Sequence, residues 1–320
     1  MSDSLVVLLM VLVGVQFAAQ APVNGGLGRH TGGLVAALIS FLVGNVALLA
    51  IVAVAGQLGN FSSLGEVPLW QLAGGLIGAT YVALAATTIS RIGAGVIAAV
   101  TVTGQLACSV VVDHFGWFGI EVHDVTGPRI LGLVLLLAGA MAMLYSREEA
   151  GGGGASRAGR QTGHGIGSMA SGAENRERLV ICAVIFLASL AVGIQHPLNS
   201  ELANSIGDLP AGLTNFTVGT ILLALLVIVT GQAKALLGAR EARPQYFLGG
   251  LIGLIVVVTS LSAVTLIGAA GLTAALVTGQ MIGSLLLDRF GAFGLTRIPI
   301  DRVRLAAAAA LLIGTFLATG

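Results

Sequence analysis

The chain repeats itself at a fixed distance of 175 residues. Of the 126 positions from 20 to 145, 41 carry the same residue as the position 175 places later. The motif Gln20-x-Pro-x-Asn24 returns as Gln195-x-Pro-x-Asn199, and Asp113-x-Phe-Gly-x-Phe-Gly119 returns as Asp288-x-Phe-Gly-x-Phe-Gly294. A shared apolar composition would not reproduce polar residues in the same order. We therefore interpret the chain as a duplicated unit, and we expect its function where the two copies meet.

The composition indicates an integral membrane protein. Hydrophobic residues make up 56% of the chain and charged residues only 9%, whereas soluble domains carry about 25% charge. The net charge of +1 provides no basic field, which argues against nucleic-acid binding. Cys108 and Cys182 lie inside apolar runs and are expected to be buried hydrophobic residues. No nucleophile with a matching base and no regular ligand spacing occurs, so we expect neither an enzyme nor a cofactor or metal site.

Ten apolar segments are long enough to cross a bilayer, five in each half. No segment alternates with period two, so the predicted fold is all-α with ten transmembrane helices. The first segment is kept as a membrane helix rather than a cleaved leader, because its Gln-x-Pro-x-Asn motif recurs in mid-chain. The predicted units are a five-helix repeat at 1–145, a flexible cytoplasmic linker at 146–178 and a second repeat at 179–320. The predicted spans are 5–23, 32–55, 70–90, 92–112, 129–145, 179–198, 211–231, 246–266, 268–287 and 303–319.

The distribution of positive charge predicts an inverted arrangement. With alternating spans, 14 of the 15 Lys and Arg residues fall on one side of the membrane, and only Arg129 falls on the other. The positive-inside rule makes the rich side cytoplasmic and places both termini outside. Because each unit has an odd number of spans, the second unit crosses the membrane in the opposite sense. This is an inverted-topology repeat with a pseudo-two-fold axis in the membrane plane.

Polar side chains form two stripes on the predicted helices. Gln16, Gln20 and Asn24 follow a spacing of four, which places them on one helix face, and Gln195 and Asn199 repeat the last two. Pro22 and Pro197 each remove a helical hydrogen bond beside these amides. The amides could bind a polar solute or could hydrogen-bond between helices as packing contacts, and the two roles are compatible.

The second stripe lies on the fourth helix of each half. It comprises Gln105, Ser109 and Asp113, with Gln280, Ser284 and Asp288 as its copy. The aspartates stand at helix ends, where a structural cap or loop anchor is the favoured interpretation and proton coupling the alternative.

His196 breaks the symmetry because its counterpart is Ala21, so it is either a proton-sensing group or a neutral packed histidine. Further inward-facing candidates are Asn45, Tyr81 and Asn215.

Small-residue ridges occur at corresponding places in the two halves. Gly74-x-x-x-Gly78 returns as Gly249-x-x-x-Gly253. Such ridges allow helices to approach closely. We expect them to pack against another helix, either in this chain or in a partner.

The Gln-x-Pro-x-Asn, Thr103-Gly-Gln105 and Asp-x-Phe-Gly-x-Phe-Gly motifs resemble those of the YdcZ-like inner-membrane exporter family of the drug/metabolite transporter superfamily. The resemblance covers both halves. It implies a bacterial inner (plasma) membrane carrier of two fused five-helix units. The small multidrug relatives use a glutamate within the first helix, whereas this chain has Gln16 and Gln20 there, and Glu201 follows the predicted sixth span. Neutral or zwitterionic solutes, or transport without proton coupling, are therefore expected.

The combined expectation is an alternating-access transporter, acting as an exporter of a small polar metabolite. One alternative is a flippase for a lipid-linked headgroup, and another is a non-transporting membrane subunit or sensor that binds a partner through the glycine ridges. The expected partners are this metabolite or headgroup and the lipid bilayer. The chain is expected to be a monomer or a homodimer. The predicted central site is lined by Gln20, Asn24, Gln105, Gln195, Asn199 and Gln280.

Overall fold

All regular secondary structure in the described part of the chain is helical. The computed structural model describes residues 3–92, 94–152, 168–294 and 297–319. Short 3-10 helices follow α3, α5, α8 and α9. The α-helices are α1 (Asp3–Phe17), α2 (Gln20–Thr31), α3 (Gly33–Val54), α4 (Ala73–Ile92), α5 (Ala94–Phe115), α6 (Gly127–Gly152), α7 (Ser168–Ile206), α8 (Asp208–Val229), α9 (Gly249–Phe290) and α10 (Arg302–Thr319).

Six helical stretches among the described residues are long and apolar enough to cross a membrane. Shorter apolar helices cover Leu69–Ala85 and Gly127–Met143. Hydrocarbon provides no hydrogen-bond partners, so helices satisfy the backbone of such segments. The chain is therefore a multi-pass membrane protein. The six stretches are Asp3–Thr31, Gly33–Val54, Leu179–Ile206, Asp208–Val229, Pro244–Phe290 and Arg302–Thr319.

Proline and glycine account for the interruptions within the apolar helices. The break between α1 and α2 at Ala18 and Ala19 lies just upstream of Pro22, whose missing N–H leaves the carbonyl four residues earlier without its helical partner. Gly268 has φ 71° and bends α9 between the predicted spans 246–266 and 268–287. We call residues 249–267 the first arm of α9 and residues 269–290 its second arm.

Several helix ends differ from the predicted boundaries. The first predicted span ends at 23, but α2 continues to Thr31, because its following glycine, Gly32, is the first residue with a positive φ. Helix α7 continues through Pro197 to Ile206, so Glu201 lies within the helix rather than beyond it. Helical residues also occupy 146–152 and 168–178 of the predicted linker, whose central residues 153–167 lie outside the described part.

The backbone reproduces the sequence repeat in its least common conformations. Gly56 and Gly231 are both left-handed, with φ 69°, and Gly116 and Gly291 have φ 62° and 64°. Phe118 and Phe293 are the two non-glycine residues with positive φ in the described ranges, at 58° and 55°. A positive φ is uncommon for a bulky residue, and each pair lies 175 positions apart. The duplicated sequence therefore specifies duplicated loops.

Two pairs of repeat-related helices pack against each other in opposite directions. On α6 and α10, Gly132 faces Ala318, whereas the later Gly139 faces the earlier Ala307. On α3 and α8, the repeat partners Phe41 and Phe216 have ring centroids 5.3 Å apart. Equivalent residues that contact each other in this way lie near a local two-fold axis that relates the two halves.

Two further pairs join opposite halves in parallel. Helix α1 packs against the second arm of α9, with Val11 beside Gly279 and Val15 beside Gly283. Helix α5 packs against α7 in the equivalent way, with Gly104 beside Ser189. Glycine at these crossings brings the backbones into contact.

Replacing Gly279 by alanine is expected to destabilise the protein by about 1–3 kcal/mol, because the new Cβ would overlap the carbonyl oxygen of Val11. Gly25→Ala is the matched control, since a Cβ on helical Gly25 meets no atom within 4 Å. Thermal unfolding of both variants in detergent measures the effect. Equal melting temperatures would show that the α1–α9 contact is less close than described.

Candidate functional site

The Gln-x-Pro-x-Asn motif of the first half lies on the glycine ridge of the second half. Gln20 Nε2 donates to the carbonyl oxygen of Gly249 at 3.0 Å, and a Cβ on Gly253 would lie 2.6 Å from the same nitrogen. Asn24 Oδ1 occupies the space beside Gly249 that a larger residue would fill. We call Gln16, Gln20 and Asn24 the first amide cluster.

The corresponding motif of the second half lies on the ridge of the first. A Cβ on Gly78 would lie 2.7 Å from Gln195 Nε2, and a Cβ on Gly74 would overlap Asn199 Oδ1. The second side chain at Gly74 is Asn215, whose Oδ1 would lie 3.1 Å from that Cβ. We call Gln195, Asn199 and Asn215 the second amide cluster. The expectation that the glycine ridges contact another helix is thus met within the chain.

The two clusters differ in their hydrogen bonds. In the first cluster Gln16 Nε2 donates to the Ile252 carbonyl at 3.3 Å, and Ser40 Oγ donates to Asn24 Oδ1 at 2.6 Å. In the second cluster Asn199 Oδ1 and both amide atoms of Asn215 are buried without a hydrogen-bond partner among the described residues. His196, which precedes Pro197 on the same helix, is half-buried.

The stripe on α5 faces the second arm of α9. The hydroxyls of Ser109 and Thr273 share a hydrogen bond of 2.9 Å, and Ser109 also donates to the carbonyl of Gln105. The Gln105 and Gln280 side chains are half-buried, and Ser284 donates to the Met281 carbonyl of its own helix. The stripe therefore joins the two halves at Ser109, whereas Ser284 bonds locally.

Two further candidates bond outside the amide clusters. Asn45 Nδ2 donates to Thr217 Oγ1 at 3.1 Å, which links α3 to α8. The Tyr81 hydroxyl shares a hydrogen bond of 3.0 Å with Thr101, which links α4 to α5. Neither contact brings its residue onto a glycine ridge. A role for these two side chains in solute binding remains a prediction.

Asp113 joins three helices from both halves. Its carboxylate accepts hydrogen bonds from the backbone N–H groups of Ala269 and Ala270 at 2.7 and 3.0 Å, which are the first donors of the second arm of α9. It also pairs with Arg129 of α6, and its own exposure is 0%. Asp113 therefore caps a helix of the opposite half, as a carboxylate at a helix N-terminus does.

Asp288 repeats the ion pair of Asp113. Arg304 Nη2 donates to Asp288 Oδ2 at 3.3 Å, and both side chains are buried. Arg129 and Arg304 were counted only toward the charge of each membrane side, so this partnership was not predicted. One sequence feature could have predicted it: Arg129 and Arg304 are the one pair of basic residues that are identical at the repeat distance of 175. The contacts favour the structural interpretation of the aspartates, and proton coupling remains a prediction.

A separate groove of about 440 Å³ lies between α6 and α10. Its lining is apolar except for Arg302 at one end. The polar side chains of the two amide clusters do not line it. The groove residues are Ala138, Gly139, Ala142, Arg302, Val303, Ala306, Ala307 and Ala310.

Comparison with known families places both halves in one group. The family described as "Putative inner membrane exporter, YdcZ" matches residues 5–142 and again residues 180–317. The chain belongs to the YdcZ family. The two matches begin and end 175 residues apart, which is the spacing of the internal repeat. Family membership supports a membrane transporter at the inner membrane.

One relative and one solved structure give the extent of the similarity. The inner membrane protein YdcZ of Escherichia coli K12 is 28% identical over 142 residues, which cover 44% of this chain and 95% of that protein. A protein of known crystal structure matches with a TM-score of 0.64 at 15% identity, covering 98% of this chain and 96% of that chain. The latter similarity concerns the fold alone.

Replacing Asp113 by asparagine is expected to cost about 3–5 kcal/mol of stability, because it leaves the buried Arg129 guanidinium without its counter-charge. Asp124→Asn is the matched control, since Asp124 is exposed on the loop that follows α5. The melting temperature in detergent reports the difference. If the two residues are paired, the double variant Asp113→Asn with Arg129→Met should recover stability. A melting temperature of the double variant below that of Asp113→Asn would contradict the pairing.

Proposed function

We propose that the protein is a secondary transporter of ten transmembrane helices, arranged as two five-helix repeats of opposite topology. Both termini face outward, and residues 1–145 and 179–320 form the two repeats. A small uncharged or zwitterionic metabolite binds between them and is exported by alternating access. The observation that carries this proposal is the reciprocal contact in which each half places its Gln-x-Pro-x-Asn motif on the glycine ridge of the other.

The directions of the packed helices support the opposite topology. In ten alternating spans, helices at the same place in the two repeats run antiparallel, as α6 and α10 do at their glycine contacts. The same alternation makes the first and ninth spans parallel, and α1 runs parallel to the second arm of α9. The fourth and sixth spans follow the same rule, in α5 and α7.

The chemistry of the amide clusters supports an uncharged or zwitterionic solute. Their side chains are carboxamides, which both donate and accept hydrogen bonds and carry no charge. The buried carboxylate of Asp113 is already paired with Arg129 and with two backbone N–H groups. A bare cation would therefore find no free counter-charge at Asp113.

Glycine lies at the crossings where one half would rock against the other. The α1–α9 and α5–α7 crossings bring the backbones into contact at glycine, and apolar side chains of α1 and α9 pack beside the first of them. Movement of one half against the other would expose a site between them first on one side and then on the other. Gln105 and Gln280, on the helices that contact across the halves, would line this path.

Purified protein in liposomes is expected to show saturable uptake of at least one solute from a panel of amino acids, sugars, amines and polar metabolites. Gln105→Leu and Gln280→Leu should each reduce the initial rate about tenfold or more, because leucine removes a hydrogen-bonding group that solute binding uses. Gln245→Leu, at an exposed position, is the matched control. Normal transport by both Gln105→Leu and Gln280→Leu would refute the assigned site.

Labelling of introduced cysteines in intact cells tests the topology. In a background that lacks Cys108 and Cys182, a membrane-impermeant maleimide is expected to label Ser4→Cys and a cysteine added after Gly320. Ala233→Cys, in the 3-10 helix after α8, should react only after the cells are permeabilised. If only Ala233→Cys is labelled in intact cells, the protein has the reverse orientation in the membrane. If one terminus is labelled without the other, the halves are not an inverted repeat.

A further inference from the structure

We propose that Asn199 and Asn215 form the solute-selective contact, and that they recognise an uncharged group that both donates and accepts hydrogen bonds. A primary carboxamide is the model for this group. The inference rests on the proposed transport function and adds the identity of the selective residues and the chemical class that they bind.

The repeat provides an internal comparison for these two residues. Asn24 and Asn199 are repeat partners, and each lies beside the first glycine of a ridge. Their neighbours, however, are Ser40 in the first half and Asn215 in the second. Ser40 Oγ donates to Asn24 Oδ1 at 2.6 Å, so the first pair satisfies itself. Its role is therefore to hold α2 and α3 against α9.

The second pair, Asn199 and Asn215, has buried amide atoms without hydrogen-bond partners among the described residues. Asn199 is 2% exposed and Asn215 is 4% exposed, yet Asn199 Oδ1 and both amide atoms of Asn215 have no partner within the described ranges. Buried amide groups are almost always hydrogen-bonded, because they lose their bonds to water on burial. Each exception in a native protein calls for a specific explanation, such as strain, a functional role, or a bound water or ion. At this place the two copies therefore differ in their hydrogen bonding.

Glycine at position 74 brings the open atoms together on one surface. A Cβ on Gly74 would overlap Asn199 Oδ1 and would lie 3.1 Å from Asn215 Oδ1. Both carbonyl oxygens therefore lie against the same turn of α4. Any side chain larger than hydrogen at this position would displace them.

The open atoms define the class of ligand. Two carbonyl oxygens need donors, and the Asn215 Nδ2 group needs an acceptor. A carboxylate offers no donor, and an ammonium group offers no acceptor. A primary carboxamide offers two N–H donors and one carbonyl acceptor. Its lack of charge also avoids the cost of moving an ion to a buried place without a counter-ion.

Matched pairs of probes test this assignment. Nicotinamide and L-glutamine carry the carboxamide, whereas nicotinate and L-glutamate carry a carboxylate in its place. In thermal-shift titrations of the detergent-solubilised full chain, the amide probes are expected to raise the melting temperature and the acid probes to have little effect. Competition with labelled solute in liposomes provides the second readout.

Asn215→Ser recreates the arrangement of the first half and is the decisive variant. The serine hydroxyl should donate to Asn199 Oδ1, as Ser40 does to Asn24. We expect the variant to unfold at the same or a higher temperature than the unmodified protein, while the amide probes bind about tenfold or more weakly. Gly74→Ala should also weaken their binding. Asn60→Ser is the matched control, because Asn60 lies in the 3-10 helix after α3 and donates to the carbonyl of Ile206 at the end of α7.

Three outcomes would overturn the inference. The first is no stabilisation of the unmodified protein by either amide probe. The second is unchanged probe binding in Asn215→Ser. The third is a marked loss of stability in Asn215→Ser, as expected if the Asn215 amide rotates and pairs directly with Asn199. Saturable transport of another solute together with any of these results would leave the proposed function standing, whereas absence of transport across the panel would refute that function by itself.

Discussion

Close contact between polar side chains and glycine joins the two halves of this protein. An amide in hydrocarbon must find hydrogen-bond partners close by. Glycine exposes its backbone, and Gln20 uses the carbonyl of Gly249 in this way. The reciprocal placement of Gln195 at Gly78 shows that each copy supplies both a set of amides and a ridge. Neither copy can bury its amides in this manner alone. The internal repeat therefore has a physical basis in the packing.

The ion pairs between Asp and Arg serve a related purpose near the helix ends. Asp113 is fully buried and binds α6 through Arg129 and α9 through two backbone N–H groups. The bend at Gly268 makes these N–H groups available, because it starts a new helical arm directly beside the carboxylate. A single side chain thus joins a helix of the opposite half to two helices of its own.

Much of the fold follows from the sequence alone. Apolar length and the lack of strand periodicity predicted helices, and the shift of 175 residues predicted a duplicated unit. The loops of the two copies repeat this relation down to the left-handed Phe118 and Phe293. Helix ends were less accurate, because α2 continues to Thr31 through residues that are mostly glycine or polar. The partnership of Asp113 with Arg129 was not predicted because the arginines were counted only toward the charge of each membrane side. Spacing placed the amides on common faces, but it could not show which carbonyls they meet, because that depends on three-dimensional packing.

The exchange of Ser40 for Asn215 shows what covalent fusion of the two units permits. A chain with a single unit that paired with its own copy would carry the same residue at both places, so every substitution would enter both clusters together. In the fused chain, one gene encodes the two positions separately. One cluster can keep a self-contained serine–asparagine bond that preserves the architecture. The other cluster is then free to change without loosening its counterpart.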